Sequence, residues 1–408
     1  GSCGLEFMAV DFCWGNFQES ALSSDITLNT SCRVGSGLRH AGSTVCPLDA
    51  DGDGDWDLLL GDLVVNELTF VRNGGNDIMD SAYAGFPAYD TPADLNKFLS
   101  SFWIDVNIDG EKDLIVAPKE AGAYMNYNNV WFYKDIDTSD ATLFSQTDTR
   151  FLQKSMIDVG TQSHPAFFDY NNDSLLDLVV GNFNVFEPGS APKTSLHLYE
   201  NVGTKLAPAF ELISDNWLNV SADFPGLVFG VAPTFGDLDG DGDQDMILGG
   251  DQGELHYYEN TAAPGNNAQF ILSISDYENI DVGNFAMPYL VDIDRDGLLD
   301  LVVGETSGNI NYFRNMGTST VADYPADPDE RDWGNVDVRP GSALGYSAPV
   351  VYEDPVTGKY NLVTGNELGA LQYYEDVESQ FGGTFALTRN SIGGIDGGAR
   401  SSAAVADL

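Results

Sequence analysis

Acidic residues recur in this sequence with a nine-residue spacing suited to binding a cation. Five loops place oxygen-bearing side chains at positions 1, 3, 5 and 9 and leave position 7 free to offer its backbone carbonyl. We number them loops 1 to 5; they span residues 49–57, 105–113, 169–177, 237–245 and 292–300. Clustered carboxylates repel one another unless a cation lies between them. Hard oxygen donors in a flexible loop favour Ca²⁺ over zinc or copper, and Mg²⁺ is a weaker candidate because it demands a smaller octahedral site.

The predicted ligands are the side chains at positions 1, 3, 5 and 9 of each loop. They are Asp49, Asp51, Asp53 and Asp57; Asp105, Asn107, Asp109 and Asp113; Asp169, Asn171, Asp173 and Asp177; Asp237, Asp239, Asp241 and Asp245; and Asp292, Asp294, Asp296 and Asp300. One ion in each loop gives five structural Ca²⁺ ions. A single Asp-rich loop is equally compatible with a solvated turn, since Asp and Gly favour turns. Five copies in register favour the metal.

A sixth copy, at residues 353–361, has lost the pattern. Pro355 and Thr357 replace two ligands, and the remaining sequence forms a sound turn without metal. We therefore expect no ion there. None of the loops is an EF-hand, because that motif needs a Glu at position 12 and flanking helices. Position 12 is apolar in all five loops: Leu60, Val116, Val180, Leu248 and Val303.

The sequences on either side of the loops repeat as well, and they indicate which secondary-structure elements hold the loops in place. Successive first positions, counting the sixth copy and Asp407, are 56, 64, 68, 55, 61 and 54 residues apart. In most units a strand-like run precedes the loop, an apolar run ending at glycine follows it, and two more strand-like runs complete the unit. A unit of four short strands is typical of a β-propeller blade. We predict an all-β, seven-bladed β-propeller with an incomplete seventh blade; an open solenoid is the alternative.

The repeat sets the expected domain organisation. Residues 1–36 form a cysteine-containing segment and residues 37–408 form the propeller. The predicted blades are 37–97, 98–158, 159–228, 229–283, 284–343, 344–394 and, in part, 395–408. We expect the natural chain to continue past Leu408 and complete the seventh blade. The alternative is completion by N-terminal strands, for which Leu5–Phe12 and Ile26–Leu28 are the candidates.

Composition restricts the possible partners. The chain has 408 residues, of which 43% are hydrophobic, and a formal net charge of −45. The hydrophobic content is sufficient for a large core. The negative charge would repel nucleic acid and anionic membrane surfaces. No apolar stretch reaches the roughly 18 residues needed to span a bilayer, so we expect no membrane insertion.

The cysteines point to an oxidising compartment. Cys3, Cys13, Cys32 and Cys46 all lie within the first 46 residues, which predicts two disulfides with three possible pairings. Four reduced thiols in a cytosolic protein are the alternative. The chain begins without Met or a signal-peptide pattern, so we expect a mature or excised piece of a larger protein.

Residues 229–249 resemble the FG-GAP repeat of integrin α-subunit propellers and, more closely, the VCBS-type repeats of large secreted bacterial proteins. The resemblance extends over about residues 37–408. It implies a seven-bladed propeller with Ca²⁺ in its loops, exported to the cell surface or the medium. In one such group a C-terminal domain is read by the type IX secretion machinery, so contact with that machinery would involve a region outside this chain. Ser174 at a glycine position, the lost sixth loop and the cysteines depart from the pattern.

No catalytic motif accompanies these loops. The leading hypothesis is therefore a non-enzymatic binding, adhesion or presentation module with a protein or glycan partner. A polysaccharide lyase or hydrolase is the main alternative, and it requires Lys, Arg, His or Tyr side chains to converge at one mouth of the propeller. A purely structural stalk is the third possibility. Candidate recognition elements are the insertions Ala84–Lys97 and Asn182–Lys193 and the following tryptophans, for which packing between blades is the simpler interpretation: Trp14, Trp103, Trp131, Trp217 and Trp333.

Overall fold

The computed structural model shows an all-β chain in two compact units. It describes residues 17–19, 23, 25–28, 43–75, 78–96, 98–119, 125–137, 141–186, 191–224, 230–341, 344–395 and 397–406. Unit 1 lies within residues 1–158 and 186–191, and unit 2 within residues 159–185 and 192–408. The helices of the described residues are four single 3₁₀ turns: Val220–Ala222, Tyr277–Asn279, Trp333–Asn335 and Glu378–Gln380. In that part of the chain no helix has the length and apolar character needed to cross a membrane.

Unit 1 contains a hairpin and two antiparallel four-stranded sheets. The hairpin pairs β1 (Phe17–Glu19) with β2 (Ile26–Leu28). The first sheet comprises β3 (Ser43–Leu48), β4 (Asp57–Asp62), β5 (Thr69–Asn73) and β6 (Met79–Ala84). The second comprises β7 (Leu99–Ile104), β8 (Asp113–Pro118), β9 (Trp131–Asp135) and β10 (Phe144–Asp148).

Unit 2 contains four more antiparallel sheets. The third sheet comprises β11 (Thr161–Phe168), β12 (Asp177–Asn184), β13 (Leu196–Asn201) and β14 (Phe210–Trp217). The fourth comprises β15 (Ala232–Gly236), β16 (Asp245–Gly249), β17 (Leu255–Asn260) and β18 (Phe270–Ile274). The fifth has β19 (Met287–Val291), β20 (Asp300–Gly304) and β21 (Ile310–Phe313). The sixth comprises β22 (Ala348–Glu353), β23 (Tyr360–Gly365), β24 (Leu371–Tyr374) and β25 (Leu387–Arg389).

Strands that are consecutive in sequence are neighbours in every sheet, so each sheet is a meander with short connections. The second strand of each sheet carries the apolar run, and in the fourth sheet all five of its residues are buried. Such a run indicates a strand covered on both faces, which requires sheets packed against sheets. The first strands β11, β15, β19 and β22 line one cavity in unit 2, as expected for a β-propeller-like arrangement.

The all-β class and the repeating antiparallel sheet are confirmed, and the number of blades stays a prediction. The fifth sheet has three strands instead of the four that the repeat predicts. Where a fourth strand would pair, Tyr312 and Glu330 form a single bridge, and the buried Trp333 packs nearby on Tyr312. Pairing of a whole strand is thus replaced by one bridge and a buried aromatic side chain.

The described residues near the two chain ends add no strand to a seventh blade, and how that blade is completed stays a prediction. The described residues between 397 and 406 form no strand, although Ser401 donates a backbone hydrogen bond to the Asn366 carbonyl (3.1 Å). The N-terminal candidate Ile26–Leu28 is a strand, but it pairs with β1 and packs on Leu58 and Met79 of the first sheet. The other candidate, Leu5–Phe12, lies outside the described residues.

Of the four cysteines, only Cys46 belongs to the part of the chain that the structure describes. It lies in β3 as a buried, free thiol. Burial raises its pKa. The predicted disulfides are therefore not shown, and the remaining three cysteines lie outside the described residues.

The glycine that ends the apolar run has a packing role. In unit 2 this glycine faces a backbone carbonyl of the next sheet, and an added Cβ would lie inside van der Waals contact of that carbonyl oxygen. The four pairs are Gly181 with Val231, Gly249 with Ala286, Gly304 with Ser347 and Gly365 with Ser401. Any side chain at these positions would push neighbouring sheets apart.

We predict that Gly249→Ala destabilises the protein by about 1–3 kcal/mol, the usual cost of overpacking. Because its neighbour is backbone, no side-chain rotation relieves the clash. Gly397→Ala is the matched control, since an added Cβ there meets only atoms at 3.7 Å and beyond. Urea denaturation of both variants measures the difference. Equal midpoints for Gly249→Ala and the wild type would contradict the packing role.

Candidate functional site

The predicted metal loops occupy equivalent places in five sheets. Each loop joins the first strand to the second, and the aspartate at position 9 is the first residue of the second strand in every case. Strands rather than helices therefore flank the loops, as predicted. The loops span only nine residues because the two strands they connect are direct neighbours.

The aspartate at position 9 uses both carboxylate oxygens to fasten the sheet. In loop 4, Asp245 accepts hydrogen bonds from the backbone N–H of Leu238 (3.1 Å) and of Asn260 (2.9 Å). Leu238 is at position 2 of the loop, and Asn260 ends the third strand. The same two bonds are made by Asp57, Asp113 and Asp177. Sequence analysis treated position 9 only as a ligand and missed this structural role.

The carboxylates at positions 1, 3 and 5 also accept backbone hydrogen bonds, which fix their positions. In loop 4, Asp237 accepts from Gly240 (2.7 Å) and Gly242 (3.2 Å). Equivalent bonds hold the first aspartate of the other four loops. In loop 3 Ser174 takes the left-handed backbone conformation (φ 69°) that a glycine adopts in the other loops, so this departure leaves the turn intact.

Three of the loops bring carboxylates within 4.8 Å of one another. In loops 1 and 5 these are the side chains at positions 1, 3 and 5: Asp49, Asp51 and Asp53, and Asp292, Asp294 and Asp296. In loop 4 they are Asp237, Asp239 and Asp245. Loops 2 and 3 carry Asn107 and Asn171 at position 3, where the amide oxygen accepts a hydrogen bond from the backbone at position 5. All five loops thus present oxygen donors, with fewer charges in loops 2 and 3.

Loops 1 and 4 hold the greatest concentration of negative charge, because Asp55 and Asp243, at position 7, each add a fifth carboxylate. One oxygen of Asp243 is buried and has no hydrogen-bond partner among the described residues. Burial, followed by the charges of its four neighbours, raises the pKa of Asp243 to about 6. An orphaned oxygen amid repelling carboxylates is what a site built for a cation should show. The donor set of loop 4 therefore fits Ca²⁺, and position 7 offers a side-chain oxygen in addition to the predicted carbonyl.

Burial also opposes ionisation of position 9. It raises the pKa of Asp57, Asp245 and Asp300 to about 6, even though the backbone hydrogen bonds act in the opposite direction. For Asp57 the neighbouring Asp51 and Asp53 raise the pKa further. The ionised loops are consequently under electrostatic strain, which a bound cation would relieve.

One residue differs among the sheets: the one that precedes the backbone donor to position 9 at the end of the third strand. It is basic in three sheets. Lys134 pairs with Asp109 of loop 2 (3.1 Å) and Arg314 pairs with Asp294 of loop 5 (2.7 Å), whereas Arg72 of the first sheet pairs with Asp80 of β6 instead of a loop residue. In the third and fourth sheets the equivalent residues are Glu200 and Glu259. Loops 2 and 5 are thus partly neutralised by a side chain, whereas loops 3 and 4 face an additional acid. Sequence analysis missed this difference, although the aligned third strands carried it.

In the sixth copy, basic side chains form ion pairs with the acidic residues. Arg295 reaches from loop 5 to Glu353 (3.2 Å), to the Gly358 carbonyl (2.7 Å) and to Glu378 (2.9 Å). Position 9 of the sixth copy is an amide, Asn361, instead of an aspartate. Its side-chain oxygen accepts a hydrogen bond from the backbone N–H of Asp376 (3.0 Å).

Lys359, at position 7 of the sixth copy, makes an ion pair with Asp376. The guanidinium and the ammonium together supply the positive charge in this sheet. The expectation that the sixth copy needs no ion thereby gains a structural reason.

We predict that Lys359→Met lowers the thermal midpoint slightly and by the same amount with Ca²⁺ and with chelator. The ammonium compensates Asp376 independently of any metal, and exposed pairs contribute little. Lys205→Met, at an exposed position outside the described ion pairs, is the control. Differential scanning calorimetry gives the midpoints. A decrease that appears only with Ca²⁺ would indicate that the sixth copy binds metal after all.

The tryptophans serve mainly in packing. Trp333 is fully buried and Trp217 nearly so, while Trp103 and Trp131 lie half-buried against the core of unit 1. Trp14 lies outside the described residues. The most exposed described tryptophan is Trp56 (52%), which sequence analysis did not single out; it meets Trp103 edge-on at 6.0 Å.

The two insertions are partly tied down. In Ala84–Lys97, Phe86 is buried and stacks on Phe70 (5.4 Å). Leu95 is also buried, and Tyr89 accepts a hydrogen bond from the backbone of Phe144 (2.8 Å). In Asn182–Lys193, Val185 and Lys193 exchange backbone hydrogen bonds, and residues 187–190 lie outside the described part of the chain. The first insertion is therefore largely part of the core.

Comparison with known proteins gives distant likenesses only. No protein-family model matches the chain, and no curated protein matches it. One similar solved structure is that of an Agrocybe aegerita lectin described as recognising non-reducing terminal N-acetylglucosamine; it is 16% identical, with 86% of this chain and 82% of the lectin covered and a TM-score of 0.33. Another is BBS1N in complex with ARL6DN, at 14% identity, 82% and 80% coverage and a TM-score of 0.24. The assignment of the fold therefore rests on strand order and register.

Proposed function

We propose that this protein is a Ca²⁺-stabilised, non-enzymatic β-propeller module that binds or presents a protein or glycan partner. It would belong to a larger secreted or cell-surface protein, as the resemblance of residues 229–249 to FG-GAP and VCBS-type repeats implies. The observation that carries the proposal is the recurrence of one acidic, hydrogen-bonded loop in five sheets of the fold. Repetition of a charged loop that strains the ionised protein is best explained by a cation.

The residues at positions 1, 3 and 5, with Asp243 in loop 4, would hold the ion. When bound, Ca²⁺ supplies two positive charges that offset the repulsion between carboxylates. Position 9 contributes from the buried side, since each of its oxygens retains a lone pair beyond the hydrogen bond it accepts. Loops 1 and 4 should bind most tightly, because each combines five carboxylates with no basic side chain in ion-pair contact among the described residues. Loop 5 should bind more weakly because Arg314 competes for Asp294.

We predict that excess chelator lowers the thermal midpoint and that added Ca²⁺ restores it. A ligand that binds only the native state stabilises it by about 2.7 kcal/mol per site at a hundredfold excess over Kd. Mg²⁺ at the same concentration should restore less, because it retains its water shell. Differential scanning fluorimetry in chelator, Ca²⁺ and Mg²⁺ tests this. A midpoint unaffected by chelator would refute structural Ca²⁺.

A second prediction concerns the individual site. Asp239→Asn removes one clustered carboxylate of loop 4, so the Ca²⁺-dependent rise in midpoint should shrink while the midpoint in chelator stays level or increases. The increase follows from relief of repulsion with Asp237, Asp241 and Asp243. Asp327→Asn is the control, since that side chain is 90% exposed and outside the loops. Equal effects of the two substitutions on the Ca²⁺-dependent rise would contradict binding at loop 4.

The module's role as a binder is supported by what lies beyond the loops. In unit 2 a cavity is lined by His164 and Tyr289, and Arg400, which is hydrogen-bonded to Tyr346, lies two residues before Ser402 of the cavity wall. Such a cluster is required by either a binder or the enzymatic alternative. Incubation with acidic and neutral polysaccharides, followed by detection of new reducing ends and unsaturated products, separates the two. Retention of intact polysaccharide or protein partner without products supports the binder, and new products would favour a lyase or hydrolase.

A further inference from the structure

At the start of the first strand in each of the four sheets of unit 2, and at the equivalent place in the C-terminal segment, one residue takes the left-handed backbone conformation. It stands seven residues before the first position of the loop, or of Asp407 in the last case. In the fourth sheet it is Gly230 (φ 73°), the residue type that favours this conformation. The other four are side-chain-bearing residues: Gln162 (φ 52°), Phe285 (φ 58°), Tyr346 (φ 52°) and Arg400 (φ 62°). Bulky residues seldom adopt this conformation, because it is strained, and such strained positions concentrate at functional sites.

Four of these equivalent residues meet at one place. The Arg400 guanidinium lies 3.8 Å from the centre of the Tyr346 ring and donates a hydrogen bond to the hydroxyl of the same tyrosine (2.7 Å). With its amide oxygen turned toward Arg400, Gln162 accepts a hydrogen bond from Nε (3.2 Å). The ring of Phe285 packs edge-on against Tyr346 at 5.6 Å and stacks on Phe183 at 5.4 Å. We call the cluster of Gln162, Phe183, Phe285, Tyr346 and Arg400 the rim.

Arg400 is chemically available at the rim. No described carboxylate lies within ion-pair distance of it, although the chain carries 63 acidic residues. Its neighbours are neutral, and they hold the guanidinium plane between an aromatic face and an amide oxygen. A fixed, planar guanidinium without a carboxylate partner is suited to pairing a carboxylate in two-point fashion.

A cavity of about 130 Å³ opens among the first strands that follow these residues. The residues that line it include Pro165, Pro233, Pro288 and Pro349. An engineered cavity of about 150 Å³ holds benzene, so this one is of the size of a single small ring and is too small for a polymer chain.

His164 is one of the polar residues of the cavity wall, together with Thr234, Tyr289 and Ser402. It lies two residues after Gln162, lines the cavity and is 5% exposed, and neither ring nitrogen has a hydrogen-bond partner among the described residues. Burial, aided by the charge of Arg400, lowers the pKa of His164 to about 4, so the ring is neutral at pH 7. A neutral imidazole offers one donor and one acceptor, which matches a hydroxyl group. Buried polar atoms left unpaired are rare in folded proteins and indicate a missing partner.

We propose that the rim and cavity bind a six-membered, hydroxylated ring that carries a carboxylate, as in a terminal uronic acid. Arg400 pairs the carboxylate, the Tyr346 and Phe285 rings border the ligand, and His164 exchanges hydrogen bonds with a ring hydroxyl. All of these residues belong to unit 2. The inference rests on the proposed binding function and gives it a ligand class.

The test is isothermal titration calorimetry on the full chain in Ca²⁺ buffer, with sodium glucuronate as the probe. Glucose lacks the carboxylate, benzoate lacks the hydroxyls and acetate lacks the ring, so each should bind at least about tenfold more weakly. Benzoate binding as tightly as glucuronate would overturn the hydroxylated ring in favour of an aromatic acid. Acetate binding as tightly would reduce the site to a simple anion site, and absence of glucuronate binding would overturn the proposal.

Variants assign the roles. Arg400→Gln should weaken glucuronate binding at least about tenfold, because it removes a charge-assisted pair. Arg389→Gln, at an exposed arginine that faces Tyr373, is the matched control and should bind as the wild type does. If Arg400→Gln fails to fold, Arg400→Lys retains the charge without the planar fork and should still bind more weakly. Wild-type affinity in a folded Arg400 variant would refute its role.

His164→Leu should weaken glucuronate binding and leave the weaker benzoate binding unchanged, since only the former needs a hydroxyl partner. Equal losses for both probes would refute the assigned hydrogen bond. The Ca²⁺-dependent rise in thermal midpoint is recorded on the same samples. A chain that shows this rise but does not bind glucuronate contradicts the ligand class alone, whereas a chain without the rise contradicts the proposed Ca²⁺-stabilised module.

Discussion

The two hydrogen bonds to the aspartate at position 9 are the interaction on which the rest of the structure depends. In loop 4 the carboxylate of Asp245 ties the start of the loop to the end of the third strand, so one side chain fixes three strands of the sheet. An apolar residue would leave both N–H groups without a partner, and a buried carboxylate without them would be costly. The remaining acids of the loop are packed around this anchor, and their mutual repulsion follows from its position.

The sequence pattern predicted the features that recur in register, because a repeated fold places the same physical demand on the same position. The first residue of each second strand and the glycine against the next sheet belong to this class. Features that depend on tertiary neighbours were not predictable. The lost fourth strand of the fifth sheet depends on how Glu330 meets Tyr312, and the contact of Arg314 with Asp294 depends on strand pairing. The role of His164 required knowledge of the cavity.

The sheets solve one electrostatic problem in different ways. Loops 1 and 4 accumulate carboxylates, loops 2 and 5 pair with a lysine or an arginine at the end of the third strand, and the acids of the sixth copy pair with Arg295 and Lys359. A side-chain cation carries one charge and is fixed in sequence, whereas a divalent ion depends on its concentration in the surroundings. Under the proposed function, the stability of the individual sheets would therefore respond unequally to calcium.

The left-handed entry into each first strand has a consequence for how such a protein can change. The backbone, not the side chain, defines this position, since Gly230, Gln162, Phe285, Tyr346 and Arg400 all occupy it with φ between 50° and 73°. Since the scaffold holds this backbone conformation, exchanging the side chain of Gln162 or Arg400 alters the rim without changing the strand, whereas Phe285 and Tyr346 also pack on their neighbours. Selectivity could then evolve by single codon changes, one sheet at a time, on an unchanged framework.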